Sequence, residues 1–227
     1  MMIGPNGPPT PADEMGGHMA SSEVWSMIAD ERKSLASDLG SLTDAQWKTA
    51  SLCDGWAVRD VLGHMTATTE LTPGRFFAGI VGSGFSLTKM QNKAIKRQNE
   101  GTPADTLARF TAIVDSTSHP PGPVDSWLGE TVVHAEDIRR PLGIQHTYSP
   151  EALARTIAFY RKSNLIVGGK RRAEGLTLRA TDTDWSAGTG PEVSGPAISL
   201  LMVVTGREAA AADLSGDGVA TLRERMP

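Results

Sequence analysis

Cysteine is almost absent from this chain. Its 227 residues include only Cys53, so no intramolecular disulfide can form. That fits a reducing compartment, and the expectation is a cytoplasmic protein. Long apolar runs are missing too. No segment approaches the roughly 20 consecutive apolar residues that a membrane-spanning helix needs, so no membrane partner is expected. The N-terminus shows no basic stretch leading into an apolar one, and no secretory signal is expected. Cations are not in excess: 22 Lys and Arg stand against 26 Asp and Glu, a net charge of −4. This excludes the usual nucleic-acid binder, whose affinity rests on clustered Lys and Arg neutralising phosphates. Among chemical motifs, no Ser-His-Asp order and no phosphate-cradling loop is convincing. Gly79, Gly82 and Gly84 lack the preceding strand that a dinucleotide fingerprint requires.

What is present is mostly helical. Residues 1–20 hold four Gly and four Pro with little periodic apolar content, and disorder is expected there. Ser22 can cap a helix to about Leu39, with Trp25, Ile28, Leu35 and Leu39 on one side. Thr43 opens a short turn through Trp47. Asp54-Gly55-Trp56 precedes a second helix with a Val58, Val61, Leu62, Met65 stripe, which Pro73-Gly74 interrupts. Residues 85–100 spell a polar helix with Lys89, Lys93, Lys96 and Arg97 at helical spacing. Such a row is usually a wet helix face, although it could attract an anion. Thr102-Pro103 starts another helix, with Leu107, Phe110 and Val114 inside. A helix from about Val124 to Arg140 follows, stopped by Pro141 and Gly143, and Ser149-Pro150 begins one reaching about Leu165. Beyond Gly168, Gly175 to Thr181 alternates as a strand, Asp182 to Gly190 is turn or hairpin material, and Pro196 to about Ala212 reads as one helix. The fold expected is mainly α: a helical bundle over 21–167 and a small α+β C-terminal domain over 168–227.

The stretch richest in chemistry is Gly129-Glu130-Thr131-Val132-Val133-His134-Ala135-Glu136-Asp137. Glu130 and His134, four apart, project from one helix face, and with His64 from another helix they could make a three-ligand site with an open fourth position. At about 100° per residue the pair lies on a shoulder of the apolar stripe, where two helices of a bundle can enclose a polar pocket. The same spacing equally describes a solvated stripe, since Asp137 continues the row. The glutamate leads and only one His follows, unlike the His-Glu-x-x-His of metalloproteases. A dinuclear site would need Glu-x-x-His on two helices, and the sequence shows no such pair, so one metal fits better than two. Cys53, before a helix start, is expected to be a buried structural thiol, and His119 and His146 to be ordinary surface residues.

Two segments carry a resemblance. Ser51-Leu52-Cys53-Asp54-Gly55-Trp56-Ala57-Val58-Arg59-Asp60-Val61-Leu62-Gly63-His64 resembles the signature opening the second helix of the mycothiol-dependent maleylpyruvate isomerase family, within the DinB-like metal-binding bundles. Gly129 to Gly143 is similar to that family's fourth bundle helix. Gly195-Pro196 through Arg207, with Leu214-Ser215-Gly216-Asp217-Gly218, is similar to the small C-terminal domain of many members. The resemblance implies a DinB-like up-down-down-up four-helix bundle holding Zn2+, or another divalent metal, on His64, Glu130 and His134. It also implies mycothiol, the low-molecular-weight thiol of actinobacteria, as cosubstrate. Its thiolate would serve isomerisation of maleylpyruvate-like substrates or S-transfer to electrophiles; a non-catalytic metal- or thiol-binding module is the alternative. Arg207 would be the counterpart of a C-terminal-domain arginine that contributes to the active site, and Asp137 would orient a ligand from behind. The partners implied are a small-molecule thiol and an electrophile, for a monomer or homodimer.

Overall fold

A computed structural model describes residues 11–165 and 167–227, with side chains from residue 21 onward. Residues 1–10 of the expected disordered stretch lie outside the described residues. The first helix, α1 (Pro11–Leu39), begins before the Ser22 cap read from the sequence. After it come α2 (Asp44–Trp47), α3 (Val58–Glu70), α4 (Pro73–Gly82), α5 (Leu87–Gln98), α6 (Pro103–Thr111), α7 (Val124–Leu142), α8 (Pro150–Tyr160) and α9 (Gly169–Ala173). The C-terminal part contains β1 (Thr177–Ala180), β2 (Ser186–Gly188), β3 (Glu192–Gly195), α10 (Ala197–Val204), a 3-10 segment Glu208–Asp213 and α11 (Val219–Glu224).

Helix starts follow the caps. Thr43, Thr102 and Ser149 each accept a hydrogen bond from the backbone N–H three residues on, at 3.3, 3.2 and 3.4 Å. Pro73 does not break a helix but starts one: Thr72 caps α4 and the proline occupies its first turn, where no N–H is needed. Four helices form the bundle. α1 packs on α6 and α7, and so does α3, so the consecutive pair α1 and α3 lies across the diagonal. Helices α4 and α5 form an excursion between α3 and α6, with α5 laid along α3. Side chains of Ile28, Leu35, Leu62, Phe110, Leu128 and Ile138 fill the centre and are fully buried.

Beyond α7, α8 packs on both α7 and α10, so it joins the bundle to the C-terminal layer. That layer is a three-stranded sheet of order β2-β1-β3, antiparallel between β1 and β2 and parallel between β1 and β3. One hydrophobic cluster runs unbroken from Val24 through Leu178 and Leu200 to Leu222. The single helix expected over Pro196 to about Ala212 is two pieces. Gly206 takes φ 96°, a left-handed turn that ends α10, and Arg207 donates its backbone N–H to Met202 at 2.8 Å. Strand β3 was not anticipated, because it is four residues long and closed in by Pro191 and Pro196.

Candidate metal centre and its cavity

The segment before α3 is a tight turn that explains its own sequence. Ser51 donates its N–H to the Trp56 carbonyl at 2.9 Å, and Trp56 donates to the Cys53 carbonyl at 3.0 Å. Gly55 turns the chain with φ 75°, a conformation that suits glycine. Trp56 lies against His64, ring centroids 5.0 Å apart. Asp60 accepts the Ala57 N–H at 3.0 Å and so caps α3. Arg59 donates to the carbonyls of Asn99, Gly101 and Thr102 at 2.8–2.9 Å, tying α3 to the α5–α6 connection. Ser51, Arg59 and Asp60 therefore aim or anchor the helix that carries His64.

His64 and Glu130 each sit beside a glycine at a close helix contact. At Gly63 an added Cβ would stand 2.8 Å from Asn99 Oδ1, and at Gly129 it would run into the Tyr160 ring. These glycines let α5 and α8 press close to the site from both sides. Gly143, with φ 68°, closes α7 by donating to the Arg139 and Arg140 carbonyls.

The ligand-capable atoms of His64, Glu130 and His134 lie within 4.8 Å of one another. His64 Nε2 is 3.8 Å from Glu130 Oε1, and the two imidazoles meet edge to face at 5.0 Å. Their side chains are only 12% (His64), 13% (Glu130) and 15% (His134) exposed, and Asp137 is fully buried. The row on α7 thus faces the interior and is no solvated stripe. Glu130 Oε1 is buried with no hydrogen-bond partner among the described residues. A buried carboxylate oxygen left unpaired is costly, and a cation held between two imidazoles would remove that cost. The residues present therefore fit a divalent ion.

Asp137 organises the rest. Its Oδ2 accepts from His134 Nδ1 at 2.9 Å, from the Cys53 thiol at 3.1 Å and from Arg207 Nη2 at 2.7 Å, while Oδ1 accepts from Arg207 Nε at 3.0 Å. This leaves the other ring nitrogen of His134 for a metal. Burial alone would raise the Asp137 carboxyl, but the hydrogen bonds and charges of His134 and Arg207 hold it well below the usual range. Burial, helped by the neighbouring His134, lowers His64 to about 3, so its imidazole is neutral and able to coordinate. Burial also works against charge on His134, but hydrogen bonds to Asp137 and Cys53 and the fields of Asp137 and Glu130 outweigh it and push the group up to about 10. A proton on His134 compensates Glu130 when no metal is bound, and a metal would displace it.

A cavity of about 690 Å3 opens onto this cluster, lined among others by Cys53, Trp56, His64, Gln91, His134 and Arg207. Cys53 is therefore a cavity residue and not the buried structural thiol expected. Nor are His119 and His146 plain surface residues: His119 stacks between Trp25 and Trp127, and His146 Nε2 lies 2.9 Å from Glu31. A second metal-capable set, Cys53, His134 and Asp137, shares His134 with the first. Its Asp137 is already paired to the Arg207 guanidinium, which also lies 3.9 Å from Cys53 Sγ, and a fixed cation there opposes a second one. In the His64, Glu130, His134 set no carboxylate is ion-paired to a guanidinium among the described residues, although the charge of Arg32 acts on Glu130 from beyond ion-pair distance.

Residues 28–121, from α1 through His64 to the approach to α7, match the family model for the mycothiol maleylpyruvate isomerase N-terminal domain. Over those residues the chain is similar to that domain. Two solved structures share its fold over both parts. One is a histidine-to-alanine mutant of the mycothiol-dependent maleylpyruvate isomerase, 15% identical, covering 87% of this chain and 92% of that one with a TM-score of 0.58. The other is the mycothiol-dependent maleylpyruvate isomerase itself, 13% identical over the same shares, with a TM-score of 0.55. No curated protein matches significantly. The fold of those two structures is thus present here, bundle and C-terminal layer together. The matched segment includes His64 but ends before Glu130 and His134, which the three-dimensional arrangement brings to it.

Proposed function

We propose that this protein is a metal-dependent enzyme that uses mycothiol to act on an electrophilic small molecule, with zinc on His64, Glu130 and His134. The carrying observation is the unpaired, buried Glu130 Oε1 with two imidazoles beside it. Two nitrogens and one oxygen make a donor set suited to zinc with an open position. When bound, the ion supplies a Lewis-acid position that favours loss of a thiol proton near neutral pH.

The chain's own residues do the rest. Asp137 fixes the His134 ring by accepting its Nδ1 proton, and Arg207 fixes Asp137 with two hydrogen bonds. A further Arg207 Nη1 bond to the Thr205 carbonyl at 3.0 Å locks the guanidinium at the cavity wall. Its remaining Nη1 N–H would meet an anionic group of the substrate at that wall. Trp56 supplies an apolar wall beside His64. Isomerisation of a maleylpyruvate-like substrate fits a cavity with a cationic wall, and S-transfer uses the same first step.

Metal analysis after dialysis tests the ligand set: wild type should retain about one zinc per chain and His134→Ala little. Equal zinc in both overturns the set. Incubating the zinc form with mycothiol and maleylpyruvate or a panel of electrophiles, followed by mass spectrometry and product analysis, tests the activity. Zinc binding with neither product nor conjugate overturns the enzyme reading in favour of a metal-binding module.

A further inference from the structure

The hairpin of α4 and α5 takes no part in the metal centre's ligand set, yet it is the most unusual surface of the molecule. No residue of α4 is buried, although the helix reads Pro-Gly-Arg-Phe-Phe-Ala-Gly-Ile-Val-Gly. Phe77 is 62%, Val81 63%, Phe85 78% and Leu87 54% exposed, and all four lie along this one hairpin. Isolated exposed apolar residues are ordinary, but a contiguous patch with two phenylalanines marks an interaction site. Phe85 also holds φ 60°, a left-handed conformation that is strained for a bulky side chain. Its N–H donates to the Ile80 carbonyl at 2.9 Å, which pins the tip of the hairpin with the ring in solvent.

Charge decides what fits this patch. From Leu71 to Asn99 there is no Asp or Glu, while Arg75, Lys89, Lys93, Lys96 and Arg97 all fall there, in a chain whose net charge is −4. Arg97 pairs with Glu70 at 3.0 Å; Lys89, Lys93 and Lys96 are exposed and form no ion pair among the described residues. A second copy across a two-fold axis would bring this basic row toward itself. An anionic lipid surface instead meets both features at once: apolar side chains enter the headgroup boundary and lysines face the phosphates. We infer that the α4–α5 hairpin docks the protein on an anionic phospholipid bilayer. The expectation of no membrane partner rests on the lack of an apolar span, and no described helix is long and apolar enough to cross a membrane. A helix lying in the interface needs no span.

Co-sedimentation with vesicles of phosphatidylcholine and phosphatidylserine, against phosphatidylcholine alone, tests this with the full chain. Binding should be strong on the anionic vesicles at low salt, at least tenfold weaker on neutral ones, and reduced by 0.5 M salt. Lys89→Glu and Lys93→Glu should each weaken it about fivefold or more. Phe77→Ser with Phe85→Ser should abolish it while circular dichroism and zinc content stay unchanged, since neither ring is buried. Absence of wild-type binding at low salt, equal binding to both vesicles, or undiminished binding by the lysine and phenylalanine variants overturns the inference. So does a wild-type dimer in sedimentation that the Phe77→Ser, Phe85→Ser protein loses, because the patch would then belong to a second copy.

Discussion

Asp137 is the residue on which most of the centre's geometry turns. It accepts from His134, Cys53 and Arg207 while fully buried, so replacing its charge disturbs three partners at once. Asp137→Asn should weaken zinc binding about 10- to 100-fold in a chelator competition, the range expected when the group behind a ligand histidine is changed. Cys53→Ser separates the two overlapping ligand sets. Zinc affinity should be nearly unchanged if the ion sits on His64, Glu130 and His134, and a large loss would move it to Cys53, His134 and Asp137. Sequence spacing singled out Glu130 and His134, with Asp137 continuing the row, because helical periodicity places i and i+4 on one face; His64 was tied to them by the family resemblance. It could not place Cys53 in the cavity. That depends on the Gly55 turn and on Leu52 donating its N–H to the Asp137 carbonyl at 3.1 Å, a contact between residues 85 positions apart.

Among the elements, α7 and α3 depend on how closely their neighbours approach. Gly129→Ala would force the Tyr160 ring away from α7 beside Glu130. Overpacking of this kind costs about 1–3 kcal/mol, so a lowered thermal midpoint together with reduced zinc retention is the expected result. Gly63→Ala meets the Asn99 side chain, whose amide can turn aside, and should lower the midpoint less. The difference between the two midpoints measures how rigidly α8 backs the site. Helix starts were legible at Thr102 and Ser149, where a capping Thr or Ser stands before Pro and an acidic first turn. Two features were not. β3 pairs with β1 in parallel, a long-range choice that four residues cannot announce. α4 reads as interrupted because its Pro and Gly content lowers local propensity, yet Thr72 and Pro73 form a sound start.

At the scale of the whole molecule, the bundle and the C-terminal layer are joined by burial and by a few charged contacts. Arg140 donates to Asp213 at 2.6 Å and to Glu136 at 3.0 Å, and Ser199 donates to Asp213 at 2.6 Å. Burial alone would raise the Asp213 carboxyl, but Ser199 and Arg140 hold it below its ordinary 3.8. A carboxyl lowered on folding contributes stability that is present above the unfolded value and lost as pH falls through the folded one. Wild type should therefore melt above Asp213→Asn at pH 7, and the gap should narrow progressively as pH falls below about 3.8. A gap that does not narrow as the pH is lowered would show that the carboxylate's charge is irrelevant there.

The Arg207–Asp137 pair has a consequence of its own, because it makes the two halves of the chain answer to each other. Whatever steadies one end of that pair steadies the other by the same free energy. Filling the bundle site should slow amide hydrogen exchange in α10 and β3, which contribute no ligand atom. Arg207→Lys, which gives up the fork that grips both Asp137 oxygens, should in turn quicken the escape of the ion. The C-terminal layer then acts as a latch whose tightness reports whether the site is loaded.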